Sequence, residues 1–242
     1  VSHEIRIAGP RPVRRAPRNT SCRTLMSSCR VSLWAGVIAT VLVATVQPSR
    51  SEDRPLRIVT FGTSLTARGA WQDALARAIQ PCVARPVEVE ILARSGASSA
   101  WALTAVADVV ALRPDIVLIE FSANDAALDR WILPSKSEAN LRTIIARLRH
   151  GSTVPRIVLM AMNPVIGLRG VLRPFLNYYY DIYARVAAQE GLTFIDHRPG
   201  WRALSASELA AALPDGSHPR SEIATRIIVP AIKEALFPHC GA

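Results

Sequence analysis

The stretch "VTFGTSLTARG", Val59 to Gly69, decides the reading of the chain. Its apolar start, extended backwards to "RIVTF" (57–61), has the β-branched density of a buried strand. A glycine ends it, one serine, Ser64, opens a short polar turn, and helix-like sequence follows within a few residues. A strand delivering a serine to a turn is either punctuation or the presentation of a nucleophile. What the other strands deliver decides between the two.

Four more runs share that texture: "VEVEILA" (87–93), "DIVLIEF" (115–121), "RIVLMAM" (156–162) and "LTFID" (192–196). They are rich in valine and isoleucine and mostly apolar on both faces, as parallel strands covered by helices are. Helical stretches lie between them at 70–80, 99–112, 137–150 and 173–190, with a last one from Ser221 to Leu236. Leu141, Ile144, Ile145 and Leu148 recur at helical spacing in the third of these, and Leu176, Tyr179, Tyr183 and Val186 in the fourth, which predicts core faces. Five strands, each followed by a helix, predict one three-layer α/β/α sandwich on a five-stranded parallel sheet. In such a sheet ligands collect at the carboxyl edge of the strands.

That edge is where the reactive side chains fall. After the first strand comes Ser64. After the second comes Gly96, in "RSGASS". After the third comes Asn124, in "FSAND". Before the last helix, "PDGSHP" (214–219) carries Asp215 and His218. A serine hydroxyl needs a base at neutral pH, and the base needs a carboxylate to fix its tautomer. An oxyanion needs preorganised donors, which the N–H groups of Ser64 and Gly96 and the Asn124 carboxamide can supply. Each residue alone has a plain structural reading, as a helix cap or a turn former. Their convergence on one edge points to acyl transfer.

The blocks "FGTSLT", "RSGASS", "EFSANDA" and "PDGSHP" resemble the four motifs of the SGNH (GDSL-type) hydrolase superfamily, over nearly all of residues 57–236. The resemblance implies a flavodoxin-like fold with Ser64 as nucleophile, Gly96 and Asn124 as oxyanion donors, and Asp215 and His218 completing a triad. It implies a serine esterase that needs no cofactor. Its substrate would be a small-molecule, glycan or lipid ester, with acyl thioester and acetylated carbohydrate as variants. Two positions depart from the pattern: Thr63 replaces the aspartate of GDSL and Ser122 the glycine of GxND. The competing class is a non-catalytic carbohydrate- or envelope-binding protein on the same scaffold; a complete base and orienter set argues against it.

His197, beside Asp196 in "FIDHRPG", is the rival base. Neighbours at a strand end point to opposite sides, so it reads as structural. The five histidines show no metal-ligand spacing, and no glycine-rich phosphate loop is present. Trp131, in "LDRWILP" beyond the Asn124 turn, is expected to border a substrate pocket. Cys82 and Cys240 follow the first and last helices, which cover one face of a flavodoxin-like sheet, and are expected to pair as a disulfide in an oxidising compartment.

The formal charge of +10 at first suggests nucleic acid. Eight arginines and one acid fall within residues 1–50, leaving 21 basic and 18 acidic residues in the rest. The basic signal therefore belongs to a leader and gives no reason to expect a nucleic-acid partner. Residues 1–51 join that leader to an uncharged apolar run, Val31–Val46, and a small-residue exit, as a signal peptide does. Met26 is the expected true start. The hydrolase domain would occupy 52–242, periplasmic or secreted. Sixteen apolar residues fall short of the ~20 that span a bilayer comfortably, which disfavours the alternative of an uncleaved anchor.

Overall fold

The computed structural model describes residues 54–240. The leader, its apolar run and Met26 lie outside the described residues.

Five strands form one parallel sheet: β1 (Leu56–Gly62), β2 (Val87–Ala93), β3 (Ile116–Glu120), β4 (Arg156–Ala161) and β5 (Thr193–Asp196). Their order is β2-β1-β3-β4-β5. β1 thus lies between β2 and β3, and the connection reverses direction across the sheet there. Each strand falls where the sequence predicts it to within one residue at either end. The exception in texture is β2, whose Glu88 and Glu90 alternate with apolar residues. It is an edge strand and only partly covered. β3 is buried along its whole length.

Two helices, α2 (Gln72–Ile79) and α10 (Ser221–Leu236), pack together on one face, while α3 (Ser99–Ala111), α5 (Pro134–Arg149) and α7 (Leu176–Glu190) pack in series on the other. The predicted faces are buried: Leu141, Ile144, Ile145 and Leu148 on α5, and Leu176, Tyr179, Tyr183 and Val186 on α7. α2 starts two residues later than its composition suggests. Ala70 is left-handed (φ 52°), and that turn delays the helix to Gln72. Conversely, α5 starts three residues early, because Pro134 is preset for the first helical turn.

Short helices occupy the loops: α1 (Ser64–Ala67), α4 (Ser122–Asp125), α6 (Gly167–Val171), α8 (Arg198–Arg202) and α9 (Ala206–Ala212). The last three were not legible from periodicity. α9 nonetheless carries a local signature, a capping box in which the Ser205 hydroxyl accepts from Glu208 N–H and the Glu208 carboxylate accepts from Ser205 N–H.

Cys82, in the turn after α2, and Cys240, after α10, are paired as a disulfide with Cα atoms 5.1 Å apart. The turn of Cys82 leads into β2, so the bridge lies at the amino edge of the sheet. Among the described residues no helix is long and apolar enough to cross a membrane.

Candidate active site

The reversal of strand order opens a crevice at the carboxyl ends of β1 and β3, and Ser64 and Asn124 flank it. Ser64 is the first residue of α1. Thr63, its N-cap, is extended, and its hydroxyl accepts from Leu65 N–H at 3.2 Å. This cap stops β1 and turns the chain at the serine. Ser64 is largely buried, 8% exposed.

From 154 residues further along the chain, the His218 ring reaches back to it. Nε2 lies 2.7 Å from Ser64 Oγ, and Nδ1 lies 2.6 Å from Asp215 Oδ2. An ionised carboxylate only accepts, so Nδ1 carries the ring proton and Nε2 of the neutral ring accepts from the serine hydroxyl. Asp215 Oδ1 also accepts from the N–H groups of Ser217 (3.0 Å) and His218 (2.7 Å). Partial burial would raise the Asp215 pKa. The bonds from the His218 ring and the two N–H groups outweigh it and hold the carboxyl well below the usual carboxylate range. Asp215 therefore remains charged throughout the neutral range.

The loop bearing this pair is fastened to the end of β4. Gly216 is left-handed (φ 78°), and a Cβ there would come within 2.5 Å of the Ile166 carbonyl oxygen. Gly216 O accepts from Ile166 N–H at 2.7 Å, and Asn163 Nδ2 donates to Ser217 O at 2.8 Å. Asn163 and the exposed ion pair of Arg169 with Asp215 (3.5 Å) escaped sequence reasoning. Neither residue belongs to a recognisable spacing pattern.

Gly96 and Asn124 are joined through their loops. Gly96 is left-handed (φ 75°) in the turn after β2. Asn124 Nδ2 donates one hydrogen to Ala97 O at 2.7 Å, leaving its second amide hydrogen for a ligand. Buried Asp125, next in sequence, accepts from Ser99 N–H (2.8 Å) and Ser137 Oγ (2.6 Å). It thereby ties the Asn124 turn to the first turn of α3 and to α5. Arg173 Nε donates to Ala123 O at 2.7 Å from the other side. Ser122, at the position of the motif glycine, is buried in α4.

His197 is placed differently. It is buried, neither ring nitrogen bonds to protein among the described residues, and burial pushes its pKa down to about 4 against the pull of Asp196. Asp196 itself accepts from Arg198 N–H and Nε. A neutral histidine with no orienting partner matches the structural reading.

Trp131 follows a 3-10 turn (Leu128–Arg130) and stands 90% exposed in the left-handed region, φ 53°. It lines a cavity of about 790 Å³ with Leu128, Leu133, Phe175 and Tyr178, and the cavity reaches Asp125, the residue after Asn124. Nearly all of its wall is apolar. Among the described residues no group of acids, histidines and cysteines could hold a metal ion.

The family model described as "GDSL-like Lipase/Acylhydrolase family" matches residues 59–224, more than half of the chain. No curated protein matches the sequence. Among solved structures, the lipase/acylhydrolase from Enterococcus faecalis is 26% identical. That match covers 73% of this chain and 95% of that one, at a TM-score of 0.63. Axe2, an acetylxylan esterase from Geobacillus stearothermophilus, is 19% identical over 76% of this chain and 95% of its own, at 0.63. TesA is 20% identical over 75% and 98%, at 0.60. The last two likenesses speak for the fold.

Proposed function

The chain belongs to the GDSL-like lipase/acylhydrolase family and is an ester hydrolase, and from that premise we propose a double-displacement reaction centred on Ser64. His218 Nε2 takes the hydroxyl proton as Ser64 Oγ attacks the ester carbonyl carbon. The carbonyl oxygen becomes the oxyanion, held by the N–H groups of Ser64 and Gly96 and the spare amide hydrogen of Asn124. The C–O bond to the alcohol then breaks, and His218 returns the proton to the leaving oxygen. Water attacks the acyl-serine, gives its proton to His218, and the acid leaves as Ser64 is restored. Asp215 holds Nδ1–H throughout and stabilises the imidazolium.

The observation that carries this reading is the unbroken Asp215–His218–Ser64 chain at 2.6 and 2.7 Å. A binding module has no use for it. Labelling with a fluorophosphonate tests the reading: one adduct is expected, on Ser64, and none in Ser64→Ala, which also loses hydrolysis of p-nitrophenyl butyrate. An adduct at another residue would refute it.

The preferred substrate in this proposal is an ester with an apolar acyl group of several carbons, supported by the apolar cavity that begins one residue beyond Asn124. Export completes it. The leader's charge pattern supports export, as does the Cys82–Cys240 pair, since such bridges persist in oxidising compartments. N-terminal sequencing of exported protein should find residues 1–51 removed.

A further inference from the structure

Glu120, the last residue of β3, lies 1% exposed beneath the Ser64 turn and has no part in the reaction above. Its Oε1 accepts from Thr63 N–H at 2.6 Å and from Thr66 Oγ1 at 2.7 Å, and both its oxygens lie 3.0 Å from Thr63 Oγ1. One side chain thus grips the residue before the serine and the residue two beyond it. Gly62, its partner in register on β1, makes room, since a Cβ there would overlap Oε1. The glycine of "FGTS" is needed here for space.

The grip favours the ionised form. Three donors reach the carboxyl, and Thr63 Oγ1, already accepting from Leu65 N–H, offers its hydrogen to Glu120. A protonated carboxyl must itself donate, which takes an acceptor from that set. Among the described residues no cation bonds Glu120. The ionisable groups facing it are the phenols of Tyr180 and Tyr183 on α7, which burial keeps neutral. Burial pushes the Glu120 pKa up to about 7, against the bonds from Thr63 and Thr66, so both forms are populated near neutrality.

We propose that Glu120 is a positioning residue whose carboxylate form assembles the Ser64 turn, adding to catalysis an ionisation separate from that of the triad. The proposal rests on Ser64 being the nucleophile. As pH falls, Glu120 gains a proton, loses acceptor capacity, and the turn loosens. The proton on Glu120 comes in addition to the one that blocks the base of the triad.

The test is kcat and KM for p-nitrophenyl butyrate from pH 5 to 9 in wild type, Glu120→Gln and Thr66→Val. Wild type should fall more steeply than the tenfold per pH unit of a single proton. Glu120→Gln should show that single-proton slope, with kcat at pH 8 roughly tenfold lower from misplacement of Ser64 and KM within about twofold. Thr66→Val removes a donor to the charged form, so its acid limb should move to higher pH. A wild-type slope retained in Glu120→Gln overturns the proposal, as does an unmoved limb in Thr66→Val. Should Glu120→Gln lose its near-UV circular dichroism, Thr66→Val decides alone. Wild type labelled at Ser64 but showing a single-proton limb sinks the Glu120 inference and spares the nucleophile; failure of Ser64 to label sinks both.

Discussion

Replacing Trp131 by glycine separates what the groove costs the fold from what it contributes to catalysis. The tryptophan is held left-handed at φ 53° with 90% of its surface in water. That backbone region costs a residue with a Cβ about 1–2 kcal/mol, and so exposed a side chain recovers little by burial. Glycine removes the strain while adding about 0.5–1 kcal/mol of unfolded-state freedom. Urea unfolding should therefore place Trp131→Gly within about 1 kcal/mol of wild type, on the more stable side. An eight-carbon acyl chain laid on the indole would cover roughly 60 Å² of apolar surface, worth about 1.5 kcal/mol at 25 cal/mol/Å². The ratio of kcat/KM for p-nitrophenyl octanoate to that for the acetate should then fall about tenfold, with the acetate value nearly unchanged. A stable variant with an unaltered ratio would show that the acyl chain lies elsewhere, and the substrate reading would fall with it.

Asp215→Asn keeps an oxygen for the Ser217 and His218 N–H groups but offers Nδ1 a donor where it needs an acceptor. It is expected to cut kcat by on the order of 10⁴ with little change in melting temperature; a loss under tenfold would deny Asp215 the orienting role. Cys82→Ser with Cys240→Ser opens a closure of 158 residues and should lower unfolding free energy by about 2–5 kcal/mol. Because the bridge is at the amino edge of the sheet, kcat/KM should stay as it was; a parallel fall would contradict that separation. His197 is lowered from 6.5 to about 4 by burial, so the unfolded chain binds its proton first. Its contribution is complete above pH 6.5 and is lost as pH falls through 4, a change of about 3 kcal/mol. Unfolding of His197→Phe, measured against wild type from pH 7 to 4, should show that loss only in wild type, and matching curves would reject a neutral buried histidine.

Local chemistry is legible in local sequence. The five strands could be read from runs of β-branched residues, and α5 and α7 from their spacing, because burial of one face imposes a period on the chain itself. The residues lining the carboxyl edge followed from their places just after strands, since a parallel sheet collects those loops by topology. α6 and α8, with five residues each, and α9, with seven, were too short to show a period. Glu120 sits within "VLIEF", where a single acid in an apolar run gives no hint of its partners. Those partners lie 54 and 57 residues away in the chain.

The sequence alone settled which groups arrive at the edge, because each is set there by the strand or turn beside it. Only the folded chain decided what they touch. The 2.7 Å approach of His218 to Ser64, the clamp of Glu120 on Thr63 and Thr66, and the groove built from the 125–134 and 175–179 segments all depend on packing between distant stretches. Such contacts are set by how whole helices seat against the sheet, at tenths of an ångström, and no window of neighbouring residues carries that information.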